Sequence, residues 1–223
     1  MEKNTLFLQE SAQQDHVLLL HGLYMNAWIM LPLAHFLREY GFQTHTFSYY
    51  TVWQRLPQHL SALEKQVKQH YAQYDAPLHW VGHSLGGLVL RHFAAAFPHL
   101  VRGRMVTLGT PHQGSIAAEQ LVQWGLQKPL LGGAYPVPLA GQLPPLPNGI
   151  ELGSLAGNHG VGLGKLLGIE RESDGTVCVA ETYCEGMTDH LVLPLSHTSL
   201  LFSRQVAEQT AHFLRHGKFA HQA

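Results

Sequence analysis

The stretch that decides the fold is Gly82-His83-Ser84-Leu85-Gly86-Gly87. It follows an apolar run at 78–81 and precedes a run at 88–97 whose composition favours a helix. In a Gly-x-Ser-x-Gly turn between a strand and a helix, side chains two positions either side of the serine would collide with neighbouring backbone, so glycine is needed there. The turn exposes the Ser84 hydroxyl and aims the first N–H groups of the helix at it. The stretch therefore predicts a nucleophilic serine at a strand-to-helix corner.

Two backbone N–H groups are expected to bind the negative charge that develops when this serine attacks a carbonyl group. One belongs to Leu85, in the first turn of the predicted helix. The other follows the buried-strand pattern at 16–20, which runs into His21-Gly22-Leu23-Tyr24. Because Gly22 allows a tight turn, we expect the Leu23 N–H to point at the same centre. The alternative interpretation of this loop is an ordinary strand-to-helix turn.

Two residues late in the chain are predicted to complete a catalytic triad with Ser84. Asp174 lies in a polar turn, and His197 follows an apolar run at 191–195 and precedes a helical pattern. The competing pair is Asp189 and His190. Adjacent residues of one strand point to opposite faces, so this pair cannot converge on a single serine and is disfavoured.

With these motifs the sequence resembles bacterial lipases and esterases of the α/β-hydrolase superfamily. The resemblance rests on the elbow at Ser84, the His21-Gly22 loop, the segment 108–115, the Asp174-Gly175 turn and His197, and it spans about residues 14–215. The order serine, acid, histidine along the chain is the order in that superfamily and differs from the orders in the two large serine-protease folds. Dehalogenase and epoxide-hydrolase branches have Asp at the elbow position, which here is Ser84.

The resemblance implies a serine hydrolase that cleaves carboxylic esters of apolar acyl chains through an acyl-enzyme, with no cofactor. His197 is expected to act as general base and Asp174 to orient its imidazole. Secreted relatives of the Pseudomonas lipases carry a calcium-binding Asp soon after the catalytic histidine. The segment 198–203 has no carboxylate, so calcium dependence is not implied. Transfer of the acyl group to an acceptor other than water, and a binding module that has lost catalysis, are the alternative functions.

Strand and helix candidates alternate along the chain, which predicts an α/β fold: a mostly parallel central sheet with helices on both faces. The 223 residues are expected to form a single domain. The strand candidates are 16–20, 43–48, 78–82, 103–108, 150–155 and 189–195, and the helix candidates are 27–39, 56–74, 85–97 and 199–215.

A small cap is predicted at 117–149, between the sixth strand of the family fold and the acid. Its segment 129–148 holds six of the 12 prolines and no charged residue, so it cannot form a regular helix and is too apolar for a solvated linker. We expect it to cover the active site and line an acyl-chain groove, although a loop that merely covers the sheet edge is the alternative. The predicted substrate-binding residues are Tyr24, His83, His112, Leu130, Tyr135 and Val137.

Composition excludes several classes of partner and site. A formal net charge of −1 and 13% charged residues do not suggest nucleic acid as a partner. No run has the roughly 20 apolar residues of a membrane span, and the N-terminus lacks a signal-peptide core, so we expect a cytoplasmic protein with at most transient contact with a lipid surface. Cys178 and Cys184 are expected to be buried thiols, and a short-loop disulfide between them is the alternative for an exported chain. The pair His212 and His216 lacks the glutamate of a zinc-protease motif, and no metal site is predicted.

Overall fold

The computed structural model describes residues 15–132, 143–160 and 172–221. Within these residues, six strands form one sheet in the order β2-β1-β3-β4-β5-β6, and every neighbouring pair is parallel. The strands are β1 His16–Leu20, β2 Gln43–Phe47, β3 Leu78–His83, β4 Met105–Leu108, β5 Leu152–Gly157 and β6 Asp189–Leu193. All six strand candidates from the sequence are therefore confirmed: β1 has the predicted bounds, and the ends of the other five differ by at most two residues.

Five α-helices lie in the same described residues: α1 Leu31–Glu39, α2 Leu56–Gln73, α3 Leu85–Ala96, α4 Ile116–Gln123 and α5 Arg204–His216. The candidate at 27–39 begins as a 3-10 turn, Ala27–Met30, because Asn26 caps that turn through the Trp28 N–H. The candidate at 199–215 is likewise split: α5 starts only after Ser203, whose hydroxyl accepts a hydrogen bond from the Val206 N–H.

The sheet is covered on both faces, as the alternation of elements predicts. In β1, Leu18 and Leu20 pack in a core that includes side chains of α2 and α3. Val17 and Leu19 point the other way, into a core formed with α1 and α5. Strands buried on both faces are continuous apolar runs, and this is why β1, β3 and β4 are recognisable in the sequence.

Other expectations have mixed outcomes. Cys178 and Cys184 are buried and are not joined in a disulfide. No helix in the described part of the chain is long and apolar enough to cross a membrane.

The cap predicted at 117–149 begins with α4 and continues through a π-helical turn, Gln127–Leu131. Residues 133–142 of that cap lie outside the described residues, so the cap stays a prediction.

Candidate active site

Ser84 occupies the turn between β3 and α3 in a strained backbone conformation, with φ 53° and ψ −121°. Strain of this kind costs a non-glycine residue about 1–3 kcal/mol and persists where the surroundings enforce it. The Ser84 N–H donates to Leu108 O at 2.9 Å, and the Thr110 hydroxyl donates to Ser84 O at 3.0 Å. A Cβ on Gly86 would lie 2.5 Å from Leu20 O, which is the collision inferred from the motif. Neighbouring strands thus hold the serine at the carboxyl end of the sheet.

Asp174 and His197 form a short hydrogen bond, 2.6 Å between Oδ2 of the carboxylate and Nδ1 of the imidazole. The other carboxylate oxygen of Asp174 accepts from the N–H groups of Thr176 and Val177 at 2.9 and 2.8 Å. Both side chains are buried. Because Nδ1 of His197 donates to a fixed carboxylate, Nε2 is left with its lone pair free to accept a proton.

Ser84 and His197 line the same cavity, which has a volume of about 240 Å³. The wall also includes Leu23 and Leu85, the two residues whose N–H groups are predicted to bind the oxyanion. Most of the remaining wall is apolar and includes Met25, Pro111, Ala118, Leu121, Leu131 and Val177. The structure therefore brings the predicted nucleophile, base and oxyanion donors to one apolar cavity.

The two predicted oxyanion donors have N–H groups available for a ligand. Leu85 is the first residue of α3, where the N–H has no acceptor inside the helix. In the part of the chain that the structure describes, no group accepts a hydrogen bond from the Leu23 N–H. The next N–H, that of Tyr24, is instead bound to the Thr51 hydroxyl at 3.2 Å.

The loop that carries Leu23 is held by residues that follow β2. The Tyr49 hydroxyl donates to His21 O at 2.6 Å, and its ring stacks on the His21 ring. Tyr24 has φ 59°, which is unusual for a residue with a side chain. Tyr49 and Thr51 were not identified from the sequence, since nothing in a short segment after β2 shows that it contacts the loop after β1.

Two predicted substrate-binding histidines lie away from the cavity wall. His83 is fully buried, and its Nε2 donates to His197 O at 3.0 Å. The pKa of its imidazole lies well below the usual value, mainly because the ring is buried. His112 is 3% exposed, its Nε2 is 3.0 Å from the Thr107 hydroxyl, and burial lowers its pKa to about 3. Neither side chain forms part of the cavity wall, so contact of these two residues with substrate stays a prediction.

The remaining predicted substrate contacts divide into three groups. Tyr24 lines the cavity, as predicted. Leu130 is not part of the wall and is 36% exposed, whereas its neighbour Leu131 is buried and lines the cavity, because the π-helical turn rotates adjacent side chains to different sides. Tyr135 and Val137 lie outside the described residues.

The disfavoured acid and base have other partners. The Asp189 carboxylate accepts from the Phe219 N–H at 2.8 Å and lies 2.9 Å from His221 Nε2. His190 Nε2 is 2.8 Å from the Thr182 hydroxyl. Neither residue lines the cavity with Ser84.

Sequence reasoning missed Glu181, a buried carboxylate that connects the acid turn to the cavity wall. One oxygen accepts from the Cys178 N–H and the other from the Ile116 N–H, each at 2.6 Å. Burial raises the pKa of Glu181, and these two hydrogen bonds partly oppose that increase. Ile116 begins α4, so Glu181 fixes the start of a cavity-lining helix. The spacing Cys178-x-x-Glu181 resembles a capping box, but the signal is too weak to identify this role.

Arg91 was missed as well, although it is the one charged residue in the apolar run of α3. Its guanidinium donates to His112 O at 3.2 Å and to Pro144 O at 2.8 Å. It thereby connects α3 to the loop after β4 and to the chain that returns from the predicted cap. A single arginine in an otherwise apolar helix indicates that its guanidinium donates hydrogen bonds to buried carbonyl oxygens.

Gly22→Ala tests the predicted oxyanion role of Leu23: if Leu23 has this role, the variant should lower kcat/KM for ester hydrolysis by about 10²-fold, the cost of losing one oxyanion donor. Its Cβ would lie 3.0 Å from His83 Nδ1 and 3.1 Å from Ser84 Cβ, and both neighbours are fixed. The loop must move, and Leu23 moves with it. Ester hydrolysis and thermal melting of both proteins check this; an unchanged kcat/KM would show that Leu23 does not bind the oxyanion.

The model of the alpha/beta hydrolase family matches residues 17–205. Because the match covers most of the 223 residues, the chain belongs to the alpha/beta hydrolase family. This confirms the family predicted from the motifs. No curated protein matches the sequence significantly.

Solved structures with the same fold include several enzymes that act on esters. The mature lipase BlEst2 of Bacillus licheniformis has a TM-score of 0.72 and 19% identity, with 92% of each chain covered. The metagenomic carboxyl esterase MGS0156 has a TM-score of 0.64 and 17% identity, covering 84% of this chain and 65% of that one. A soluble variant of the Saccharomyces cerevisiae monoglyceride lipase has a TM-score of 0.65 and 13% identity, covering 92% and 87%. At sequence identities of 13–19%, the similarity of these structures establishes the fold of this chain.

Proposed function

We propose that this protein is a serine hydrolase that cleaves carboxylic esters of neutral, apolar acyl chains. The observation that carries the proposal is the 2.6 Å hydrogen bond from His197 to Asp174, in a protein where His197 shares an apolar cavity with the strained Ser84. A nucleophile, a base and a group that orients the base are the parts that acyl transfer requires.

In the first half of the reaction, Nε2 of His197 takes the proton of the Ser84 hydroxyl as its oxygen attacks the ester carbonyl. The N–H groups of Leu23 and Leu85 bind the oxyanion of the tetrahedral intermediate. Asp174 stabilises the imidazolium that forms. His197 then gives the proton to the leaving alcohol, and the acyl group stays on Ser84.

In the second half, water takes the place of the alcohol. His197 removes a proton from the water, whose oxygen attacks the acyl carbonyl, and the same N–H groups bind the second oxyanion. Collapse of this intermediate returns the proton to Ser84 and releases the carboxylic acid.

The cavity wall supports a neutral, apolar substrate. Among the described residues that form it, there is no Asp, Glu, Lys or Arg. A charged acyl chain would therefore lose its hydration without gaining an ionic partner. The neighbouring folds of a lipase, a carboxyl esterase and a monoglyceride lipase agree with an ester as the substrate.

A fluorophosphonate should add to the protein once, at Ser84, as intact mass and peptide mapping would show. p-Nitrophenyl esters of graded chain length should be hydrolysed with an optimum in kcat/KM that reports how much acyl chain the cavity accepts. Added alcohols in the same assay would reveal transfer to an acceptor other than water. No adduct together with no turnover would contradict the proposal and favour a binding module.

A further inference from the structure

Three histidines from separate parts of the chain meet on one face of the sheet. His16 is the first residue of β1, His45 is the middle residue of β2, and His70 lies in the last turn of α2. In the parallel pairing, His45 is opposite Leu18. Because side chains alternate along a strand, His16, Leu18 and His45 share a face. This is the face that α2 covers, and His70 points from α2 toward the sheet.

The ligand nitrogens of the three imidazoles all lie within 4.8 Å of one another. His45 Nε2 and His16 Nδ1 are hydrogen-bonded to each other at 3.1 Å, and a bound metal ion would replace this hydrogen bond. Zinc binds histidine nitrogen at about 2.0–2.1 Å in tetrahedral geometry, which requires nitrogens about 3.3 Å apart. The hydrogen-bonded pair is close to this separation, and the third nitrogen, no more than 4.8 Å from the other two, reaches it through side-chain shifts of up to about 1.5 Å.

His70 gives a second, independent indication that a ligand belongs here. Its side chain is buried, and within the described structure its Nε2 has no hydrogen-bond partner. Buried polar atoms in proteins are nearly always satisfied, so such an atom calls for an explanation.

We propose that His16, His45 and His70 form a binding site for a divalent transition metal, with zinc as the ion that fits best. Three imidazoles without a carboxylate suit zinc, copper or nickel and do not suit calcium or magnesium, which require oxygen ligands. A fourth ligand position is available to water, because a cavity of about 230 Å³ adjoins the cluster and is lined by His45 and His70. The polar side chains of Gln66, Gln69, Gln73 and Tyr74 also line this cavity.

The site is structural and separate from ester hydrolysis. His16 pairs with Leu78, which is six residues before Ser84, a separation of roughly 20 Å along β3. The metal would instead connect β2, the strand at the edge of the sheet, to β1 and α2. We therefore expect zinc to raise the melting temperature and to leave kcat/KM for esters unchanged.

Titration of the tag-free protein with zinc chloride, followed by calorimetry, should give one bound ion per chain and a higher melting temperature. His45→Ala and His70→Ala should each weaken binding at least about tenfold, because even residues that only support a ligand contribute this much. The matched control is His212→Ala, which disrupts a close histidine pair elsewhere in the protein: the ring centroids of His212 and His216 on α5 are 4.5 Å apart. This variant should bind zinc like the unaltered protein.

Cobalt offers a measurement that needs no variant, which matters if His70→Ala fails to fold. Bound at this site, Co²⁺ should show the strong visible absorption of a four-coordinate ion, and zinc should displace it. The proposal is overturned if the unaltered protein binds no zinc, if His45→Ala binds as tightly as before, or if binding is lost in His212→Ala. It is also overturned if Co²⁺ gives only the weak absorption of an octahedral ion.

Discussion

Ser84→Ala should lower kcat for ester hydrolysis by a factor on the order of 10⁶, close to the background rate, as removal of the nucleophile does in a serine protease. The reason is that the Ser84 hydroxyl is the proposed nucleophile, held at the strand-to-helix corner in the cavity that His197 also lines. The loss of one oxygen leaves the backbone turn and the cavity wall intact. The fluorophosphonate adduct should disappear in parallel with the activity.

Ser84→Gly is the matched variant, because it removes the same hydroxyl and also relieves the backbone. At φ 53° a glycine pays no steric cost, whereas alanine keeps the strain of the serine. The two variants should be equally inactive, and the glycine variant should be more stable to denaturant by about 1 kcal/mol. Hydrolysis by Ser84→Ala within tenfold of the unaltered protein would show that another group is the nucleophile.

The sheet could be predicted from the sequence because each strand and the turn that follows it are local patterns. Buried parallel strands are short apolar runs, and the glycines around Ser84 mark a turn that few sequences can form. Ser84, Asp174 and His197 could be proposed as a triad for the same reason, because each lies in a local pattern of the sequence. The predicted strand ends were less accurate. Gly103 was expected to begin β4, but the strand begins at Met105. A Cβ at Gly103 would lie 2.5 Å from Leu78 O, so this glycine marks a close approach of two backbone segments just before the strand.

Contacts between residues far apart in the chain could not be predicted from the sequence. His83 adjoins Ser84, but the sequence could not show that its hydrogen-bond partner is the carbonyl of His197, 114 positions away. Glu181 connects to Ile116, a residue 65 positions away, and no local pattern predicts such a pair. The cluster of His16, His45 and His70 depends on the register of β1 and β2, which only the folded chain defines.

Asp174→Asn should lower kcat/KM by about 10⁴-fold, as the same change does in the serine-protease triad. The asparagine oxygen can still accept from the Thr176 and Val177 N–H groups, which now bind Oδ1, so the turn is retained. The amide nitrogen then replaces Oδ2 and donates toward His197 Nδ1, which must become the acceptor. The imidazole is forced into the tautomer with hydrogen on Nε2, and it can no longer take the proton of Ser84.

Asp189→Asn is the matched control, because Asp189 is the other acid that the sequence offers for a triad. Its carboxylate binds the Phe219 N–H and His221, at the amino end of β6 and away from the cavity wall. We expect kcat/KM to be unchanged in this variant, while thermal melting reports any loss at the C-terminal contact. If Asp189→Asn lost the activity and Asp174→Asn kept it, the acid assigned here would be wrong. If both kept it, His197 would need no carboxylate partner, and the 2.6 Å hydrogen bond would serve the fold alone.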